Sequence, residues 1–525
     1  MIYDLIIIGG GINGAAVARD AGLRGLKCIL LEKSDFGAGA STKTSKLAHG
    51  GVRYLEHFEF SLVRESLRER ELLLKNAPHL VRQLRFVHPV YEGDPHHAWT
   101  ANMGLYVYDF FAWLSHTSLP YHTALSREQV SSLFPHLRKE GIHSAVGFSD
   151  ALMDDRRILM ENVVGAAACG VDIFNDAQVV AIHPHQNSTR RVEVRLKGES
   201  DKFPKTADDL SLIEGRCIVN ATGAWSLPVK GAPPEQLPKM VITKGIHLVI
   251  PAIQSETALL LRAPRDLRPF FVIPWEGMSL VGTTDTLYEG DLNHVTVTDE
   301  DCDYLLEALQ YYFPKEPLAK SSIVASYAGL RPLADPGWSI QPSEISRRHE
   351  IQEPVPGIFT ISGGKYTTHR SIAEKVVDQV VSRLRLRQAL PCKTAKTPLP
   401  GALDSSRAAL LKKEMLACGL SDVQATHLID CYGHFANQIL KIVKRDPDGK
   451  SSLCAFHPHI QAELTYAVKH EFLKHIYSWF TLRTTIAYTP CKGRCCMHAV
   501  ADKMQQLLGW SPEERQAEID KFLSY

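Results

Sequence analysis

Leu5-Ile6-Ile7-Ile8-Gly9-Gly10-Gly11-Ile12-Asn13-Gly14 opens the chain's first folding unit, and Cys28-Ile29-Leu30-Leu31-Glu32 closes it. Four consecutive apolar residues read as a buried strand. The glycines after them have G-x-G-x-x-G spacing and open a helix in which Ala15, Ala18 and Ala21 allow close packing. Gly22 and Gly25 end that helix and turn the chain into a second apolar strand. Each fingerprint glycine has a mechanical role: Gly9 makes the turn, Gly11 admits backbone amides to a pyrophosphate, and Gly14 lets the helix pack closely. The helix N-terminus adds free N–H donors and the positive end of its dipole. Glu32, at the end of the second strand, stands where a carboxylate accepts hydrogen bonds from ribose hydroxyls. Strand, glycines, helix, strand and acid in this order predict a dinucleotide site, and the motif alone leaves FAD and NAD both open.

Two later segments favour FAD. Ile218-Val219-Asn220-Ala221-Thr222-Gly223 is an apolar strand entering a small-residue turn, and Phe359-Thr360-Ile361-Ser362-Gly363-Gly364 repeats the arrangement. The longer flavin dinucleotide needs backbone contacts well beyond its pyrophosphate, whereas a nicotinamide domain needs neither segment.

The chain has 525 residues, more than one hydrophobic core normally organises, so two or three units are expected. It is 45% hydrophobic and 22% charged, as in ordinary globular proteins. Lys+Arg at 59 against Asp+Glu at 58 gives a net charge of +1, which supplies no global field for nucleic acid or an anionic bilayer. The early strand leaves no room for a presequence, and scattered cysteines predict reduced thiols facing the cytoplasm. No apolar run reaches the roughly 18 residues of a spanning helix. Cys491, Cys495 and Cys496 form a tight thiol group without the C-x-C or C-x-x-C pairs of metal sites, so no metal is expected there.

Along the chain, 60–75 reads as an amphipathic helix, and Asp154-Asp155 starts another that stops at Gly170. Period-two alternation between 190 and 220 predicts antiparallel sheet, and 270–273 with 278–281 predicts a hairpin within a strand-rich segment, 226–340. The aromatic stretch 104–114 is expected to be helix core, with a membrane-surface contact as the lesser alternative. Thr397-Pro398-Leu399-Pro400-Gly401 reads as a linker, and Ser511, Pro512 and Glu514 as the cap of the last helix.

Ser45-Lys46-Leu47-Ala48-His49-Gly50-Gly51-Val52-Arg53-Tyr54-Leu55-Glu56, Ala77-Pro78-His79-Leu80 and Lys244-Gly245-Ile246-His247 carry a further signal, as do Gly282-Thr283-Thr284-Asp285, Gly329-Leu330-Arg331-Pro332-Leu333 and Gly363-Gly364-Lys365-Tyr366-Thr367-Thr368. With the N-terminal unit, they make the chain resemble the flavin-dependent glycerol-3-phosphate dehydrogenases, specifically the homodimeric aerobic bacterial type. The resemblance is dense over residues 3 to about 400. It departs at Ala16, where the family often has glycine, and at His369, where tyrosine is usual. The resemblance implies an α/β plus α+β fold: a Rossmann-like FAD-binding domain at 1–85, 150–225 and 341–395, interleaved with an antiparallel-sheet substrate domain at 86–149 and 226–340, then a helical domain at 396–525. It also implies oxidation of sn-glycerol 3-phosphate to dihydroxyacetone phosphate, a membrane quinone as acceptor, a homodimer, and a peripheral seat on the cytoplasmic face of the inner membrane.

Oxidising a secondary alcohol requires a base for the hydroxyl proton, and the resemblance points to His49 with His247 as alternative. The substrate phosphate needs fixed cations, which the resemblance assigns to Arg331, Arg53 and Lys365 with Tyr54 beside them; Arg331 is also counted with the catalytic residues. Cofactor contacts are expected from Gly9, Gly11, Asn13, Gly14, Glu32, Ser45, Lys46, Leu47, Gly223, Gly364, Lys365 and Thr367. Two rival functions remain: an oxidase releasing hydrogen peroxide, and a flavin-binding module without turnover.

Overall fold

A computed structural model describes residues 1–55, 58–92, 94, 98–184, 189–197, 203, 209–225, 239–253, 256–335 and 345–524. Five parallel strands form the centre of one sheet in the order Ile358–Gly363, Ser211–Asn220, Ile2–Ile8, Cys28–Leu31 and Asp172–Phe174. His349–Val355 adds an antiparallel edge. Leu5 and Ile7 pack beneath the helices Ile12–Leu23, Asp155–Ala168 and His369–Leu384. Ile6 and Ile8 face the hairpin Ala177–Pro184/Arg190–Leu196 on the other side. Covering on both faces is why these strands read as unbroken apolar runs. The alternation seen from 190 belongs to Arg190–Leu196, paired antiparallel with the first half of Ser211–Asn220.

The second sheet is mostly antiparallel. Met240–Pro251 pairs with Ala325–Ala334 on one side and Met278–Gly282 on the other. The predicted hairpin is Pro269–Trp275 with Met278–Gly282. Val81–Tyr91 and Ile142–Met153 pair along their length, from Val81↔Met153 to Tyr91↔Ile142. The expected boundaries at 85/86 and 149/150 therefore fall inside these two strands, which run through both units. Leu47–Ala48 also joins this sheet, against Ile142–Met153, and so carries the Ser45–Tyr54 segment across the interface.

The aromatic helix Ala98–Leu114 is not plain core. Leu105, Tyr108 and Ala112 are buried, but Met103, Tyr106, Phe110 and Trp113 are 55–64% exposed. Phe58 and Phe60 are exposed as well, and Phe60 touches Phe111, so the apolar face continues beyond the helix.

The C-terminal region is helical from Ser405–Ala417 to Pro512–Leu523, with the predicted Ser511/Glu514 capping box in place. Buried ion pairs join it to the nucleotide domain: Arg157 donates to both carboxylate oxygens of Glu471 at 2.7 and 3.0 Å, and Arg483 reaches Asp35 at 2.9 Å. The Cys491–Cys496 turn does not stand alone, because Cys454 and His457 from a separate loop pack against it.

Candidate active site

The two sheets meet at a cleft of about 1390 Å³ that opens at the carboxyl ends of the parallel strands. Turns leaving those strands contribute Gly9, Glu32, Gly223 and Gly364, as the topological rule for such sheets requires. His247, Arg331 and Phe271 of the second sheet form the facing wall, and Ser45, Leu47, His49 and Tyr54 run between the walls. The volume exceeds the roughly 300–1,000 Å³ of a typical small-ligand pocket, which leaves room for a dinucleotide and a small substrate together.

The nucleotide end is built by close approach. A Cβ at Gly9 would lie 2.6 Å from the Ala221 carbonyl oxygen, and Gly9 has φ +103°. A Cβ at Gly14 would lie 1.9 Å from the Gly9 carbonyl, so Gly14 works by packing the helix and does not line the cleft. Glu32 accepts hydrogen bonds from the backbone N–H groups of Gly10 and Ser34 at 2.6 and 2.9 Å. Burial pushes its carboxyl upward, opposed by those bonds. A carboxylate has about four acceptor positions, so capacity remains for a ribose hydroxyl. Ser41 Oγ accepts from Ile12 N–H at 2.9 Å, covering one helix-end donor. Asn13 Oδ1 is buried without a hydrogen-bond partner at the cleft wall, an acceptor that a bound ligand donor would satisfy. Close backbone, an acid at the second strand and an orphaned acceptor together fit FAD.

At the other end Ser45 Oγ lies 2.8 Å from His247 Nε2. The His247 ring stacks on Tyr327 at 4.9 Å, and Tyr327 donates its hydroxyl hydrogen to the Thr44 carbonyl at 2.7 Å. Burial, then the neighbouring Arg331 and Lys46 charges, hold the His247 imidazole well below its ordinary pKa, so it is neutral at pH 7. Gly282 makes this possible: a Cβ there would sit 2.4 Å from the His247 ring. His49 donates its backbone N–H to Thr367 Oγ1 at 3.3 Å, and its ring lies parallel to Tyr54 at 6.5 Å. Lys365 Nζ stands 3.7 Å over the Tyr54 ring and donates to Ser66 Oγ at 3.0 Å.

Arg331 lies across Gly245, whose absent Cβ leaves it space. It donates to Thr283 Oγ1 at 2.8 Å and to Asp285 at 3.2 Å, and Asp285 also accepts from Arg347. Two guanidiniums sharing one carboxylate leave about one net positive charge beside the cleft.

A family described as FAD dependent oxidoreductase matches residues 4–378, and one described as C-terminal domain of alpha-glycerophosphate oxidase matches 392–515. The chain is 34% identical to glycerol-3-phosphate dehydrogenase of Synechocystis, over 100% of this chain and 96% of that one. It is 33% identical to aerobic glycerol-3-phosphate dehydrogenase of Bacillus subtilis, over 98% and 92%. The chain belongs to the FAD-dependent glycerol-3-phosphate dehydrogenase family. A solved glycerol-3-phosphate dehydrogenase from Bacillus halodurans complexed with FAD shares its fold, with TM-score 0.79 at 24% identity, covering 100% of this chain and 94% of that one. This chain is thus an FAD-dependent oxidoreductase, and FAD is its cofactor.

Most residues expected from the family resemblance line the one cleft: Gly9, Gly11, Asn13, Glu32, Ser45, Leu47, Gly223, Gly364, Lys365 and Thr367 with His49, His247, Tyr54 and Arg331. Lys46 does not. It has φ +58° and its side chain turns inward, donating to both Asp155 oxygens at 2.9 Å. Its side chain thus braces the flavin-side segment from behind. The Arg53 side chain lies outside the described residues. The sequence reading missed Arg347 and Arg268, both at the cleft; Arg268 donates to the Asp285 carbonyl at 2.7 Å. Neither stands in a motif, and only their shared contact with Asp285 gives them away.

Proposed function

We propose that the chain oxidises sn-glycerol 3-phosphate to dihydroxyacetone phosphate and that a membrane quinone collects the electrons. The observation that carries this reading is one cleft that brings the dinucleotide turn together with His49, His247 and the cations Arg331 and Lys365. Bound FAD supplies the acceptor for the hydride from the substrate's C2. His49 takes the hydroxyl proton. His247, kept neutral and bonded to Ser45, fixes the alcohol's orientation without placing a second positive charge near it. Arg331 and Lys365, with Arg53, hold the phosphate. Since the phosphate is remote from the reacting carbon, its binding also aligns the alcohol. The names of the relatives support this substrate.

Membrane seating is supported by the exposed Met103, Tyr106, Phe110 and Trp113 face with Phe58 and Phe60 beside it, aromatic groups suited to a bilayer interface. Among the described residues no helix is long and apolar enough to cross a membrane. The match of the C-terminal region to an oxidase family favours a second reading, with oxygen as acceptor. Steady-state assays with glycerol 3-phosphate separate the two. Reduction of a quinone analogue without peroxide is expected, accelerated by lipid vesicles. Stoichiometric peroxide and no quinone reduction would assign the oxidase reaction instead.

A further inference from the structure

The C-terminal helices hold a cluster of soft donors that flavin chemistry does not use. Cys454 and His457 stand in a short loop closed by the Leu453 N–H to His459 carbonyl bond at 2.9 Å and by the Ser452↔Ile460 bridge. Facing it is the turn that follows Tyr488, reversed at Lys492 (φ +49°) and Gly493 (φ +77°), which presents Cys491, Cys495 and Cys496. The Cys454 and Cys495 sulfurs are 3.0 Å apart, and His457 Nε2 lies 3.3 Å from Cys491 Sγ. The ligand atoms of Cys454, His457 and Cys491 lie within 4.8 Å of one another, as do those of Cys454, Cys495 and Cys496.

We propose that Cys454, His457, Cys491 and Cys495 form a structural zinc site that staples the 453–459 loop to the 489–496 turn. Ligands at about 2.0–2.3 Å around a tetrahedral ion stand about 3.5–3.8 Å apart. The Cys454–Cys495 and His457–Cys491 contacts are tighter, at 3.0 and 3.3 Å, and Cys454 is common to both three-ligand groups, so binding requires Cys495 to turn toward His457 and Cys491. The pairs are Cys454-x-x-His457 and Cys491-x-x-x-Cys495, two short-spaced ligand pairs on separate loops. A count of the Cys491–Cys496 thiols alone lacked both Cys454 and His457. Three sulfurs and an imidazole select zinc over hard oxygen-seeking cations. The spacing suits a single ion, since a polynuclear iron–sulfur cluster holds its thiolates across its own diameter. Cys496 is the sulfur left over: it is 2% exposed and its Sγ points to the Gly493 carbonyl at 3.6 Å.

A second observation points to thiolate at this place. The Phe456 N–H donates to Cys454 Sγ at 3.3 Å. Such an outer contact orients a metal ligand and stabilises negative sulfur. The nearby His427, His459 and Glu463 group differs, because its 2.9 and 3.0 Å contacts are ordinary hydrogen bonds to one carboxylate. The site has a structural consequence too. Tyr488, just before the turn, packs on Tyr327 at 5.4 Å, and Tyr327 stacks on His247. The staple therefore anchors the wall behind His247.

The test is elemental analysis of full-length protein purified under reductant without chelators or metal-affinity steps. About one zinc per chain is expected, released by a mercurial thiol reagent and replaceable by Co²⁺ with the absorption of tetrahedral thiolate cobalt. Cys454→Ser and Cys491→Ser should each lower the zinc content tenfold or more, and Cys418→Ser should not. The mercurial and Co²⁺ readouts use wild-type protein and hold even if a variant misfolds. Wild-type protein that stays zinc-free after incubation with Zn²⁺ and reductant would overturn the proposal. So would metal retained in both variants, or a Cys454–Cys495 disulfide found in metal-free native protein.

Discussion

Replacing Arg331 by alanine tests the phosphate assignment, and its magnitude follows from the charges around Asp285. Arg331 is 28% exposed, and Asp285 is shared between Arg331 and Arg347. With Arg331 in place, the three groups carry about one net positive charge; without it, Arg347 and Asp285 cancel. A charge-assisted hydrogen bond contributes about 1.5–3 kcal/mol, so kcat/KM for glycerol 3-phosphate should fall roughly 10- to 150-fold. Arg331→Lys keeps the charge but loses the planar fork and should fall between the two. The assay is steady-state turnover with a fixed acceptor, on glycerol 3-phosphate and on glycerol. Glycerol lacks the phosphate, so its slow turnover should change little. An equal loss on both substrates would remove Arg331 from the phosphate site and make it a brace for Asp285 and Thr283. A second readout comes from His247, whose pKa is lowered first by burial and then by Arg331. Removing that charge raises the pKa, so the acidic limb of the kcat profile should move toward neutrality.

Three further outcomes are expected. His49→Ala should lower kcat about 10²- to 10⁴-fold with FAD still bound, as the protein's yellow colour would show; near-normal turnover would move the proton to His247 or water. Lys46→Met should cost about 3–5 kcal/mol in denaturant unfolding, because it strands the fully buried Asp155 carboxylate, and the double variant with Asp155→Asn should recover part of that; unchanged stability would refute the bracing role. His369 is buried with its pKa pulled to about 4 by burial, so between pH 6.5 and 4 the unfolded chain binds a proton that the folded chain refuses. Stability attributable to His369 is thus present above pH 6.5 and lost as pH falls, at about 1.4 kcal/mol per unit. Urea unfolding of His369→Asn at pH 7.5 and 5.5 should show a smaller loss than the wild type, and an identical loss would contradict the assignment.

The nucleotide unit was legible because its spacing is local: Gly14 is fixed by the Gly9 carbonyl within the same turn and helix, whereas the Ala221 carbonyl that crowds Gly9 comes from a strand far along the chain. Lys46 was misread because its side-chain direction depends on Asp155, distant in sequence, and a motif does not say which way a long side chain turns. The helix Ala98–Leu114 carries large apolar groups on both faces, so its composition could not reveal that Tyr108 is inside and Trp113 outside. The boundaries at 85/86 and 149/150 failed to mark breaks because Val81–Tyr91 and Ile142–Met153 pair as one long ladder. Arg347, Arg268 and the Cys454–His457 pair are legible only in three dimensions, since each acquires its meaning from a partner on another loop.

Oxidation of glycerol 3-phosphate with FAD and recognition of its phosphate are properties of one cleft. Anaerobic titration of the purified yellow protein with glycerol 3-phosphate measures this most directly, with glycerol as the comparison. Bleaching of the flavin absorbance near one equivalent of glycerol 3-phosphate is expected, with release of dihydroxyacetone phosphate and little change with glycerol at the same concentration. A spectrum unmoved by glycerol 3-phosphate, or bleached equally by both, would contradict it.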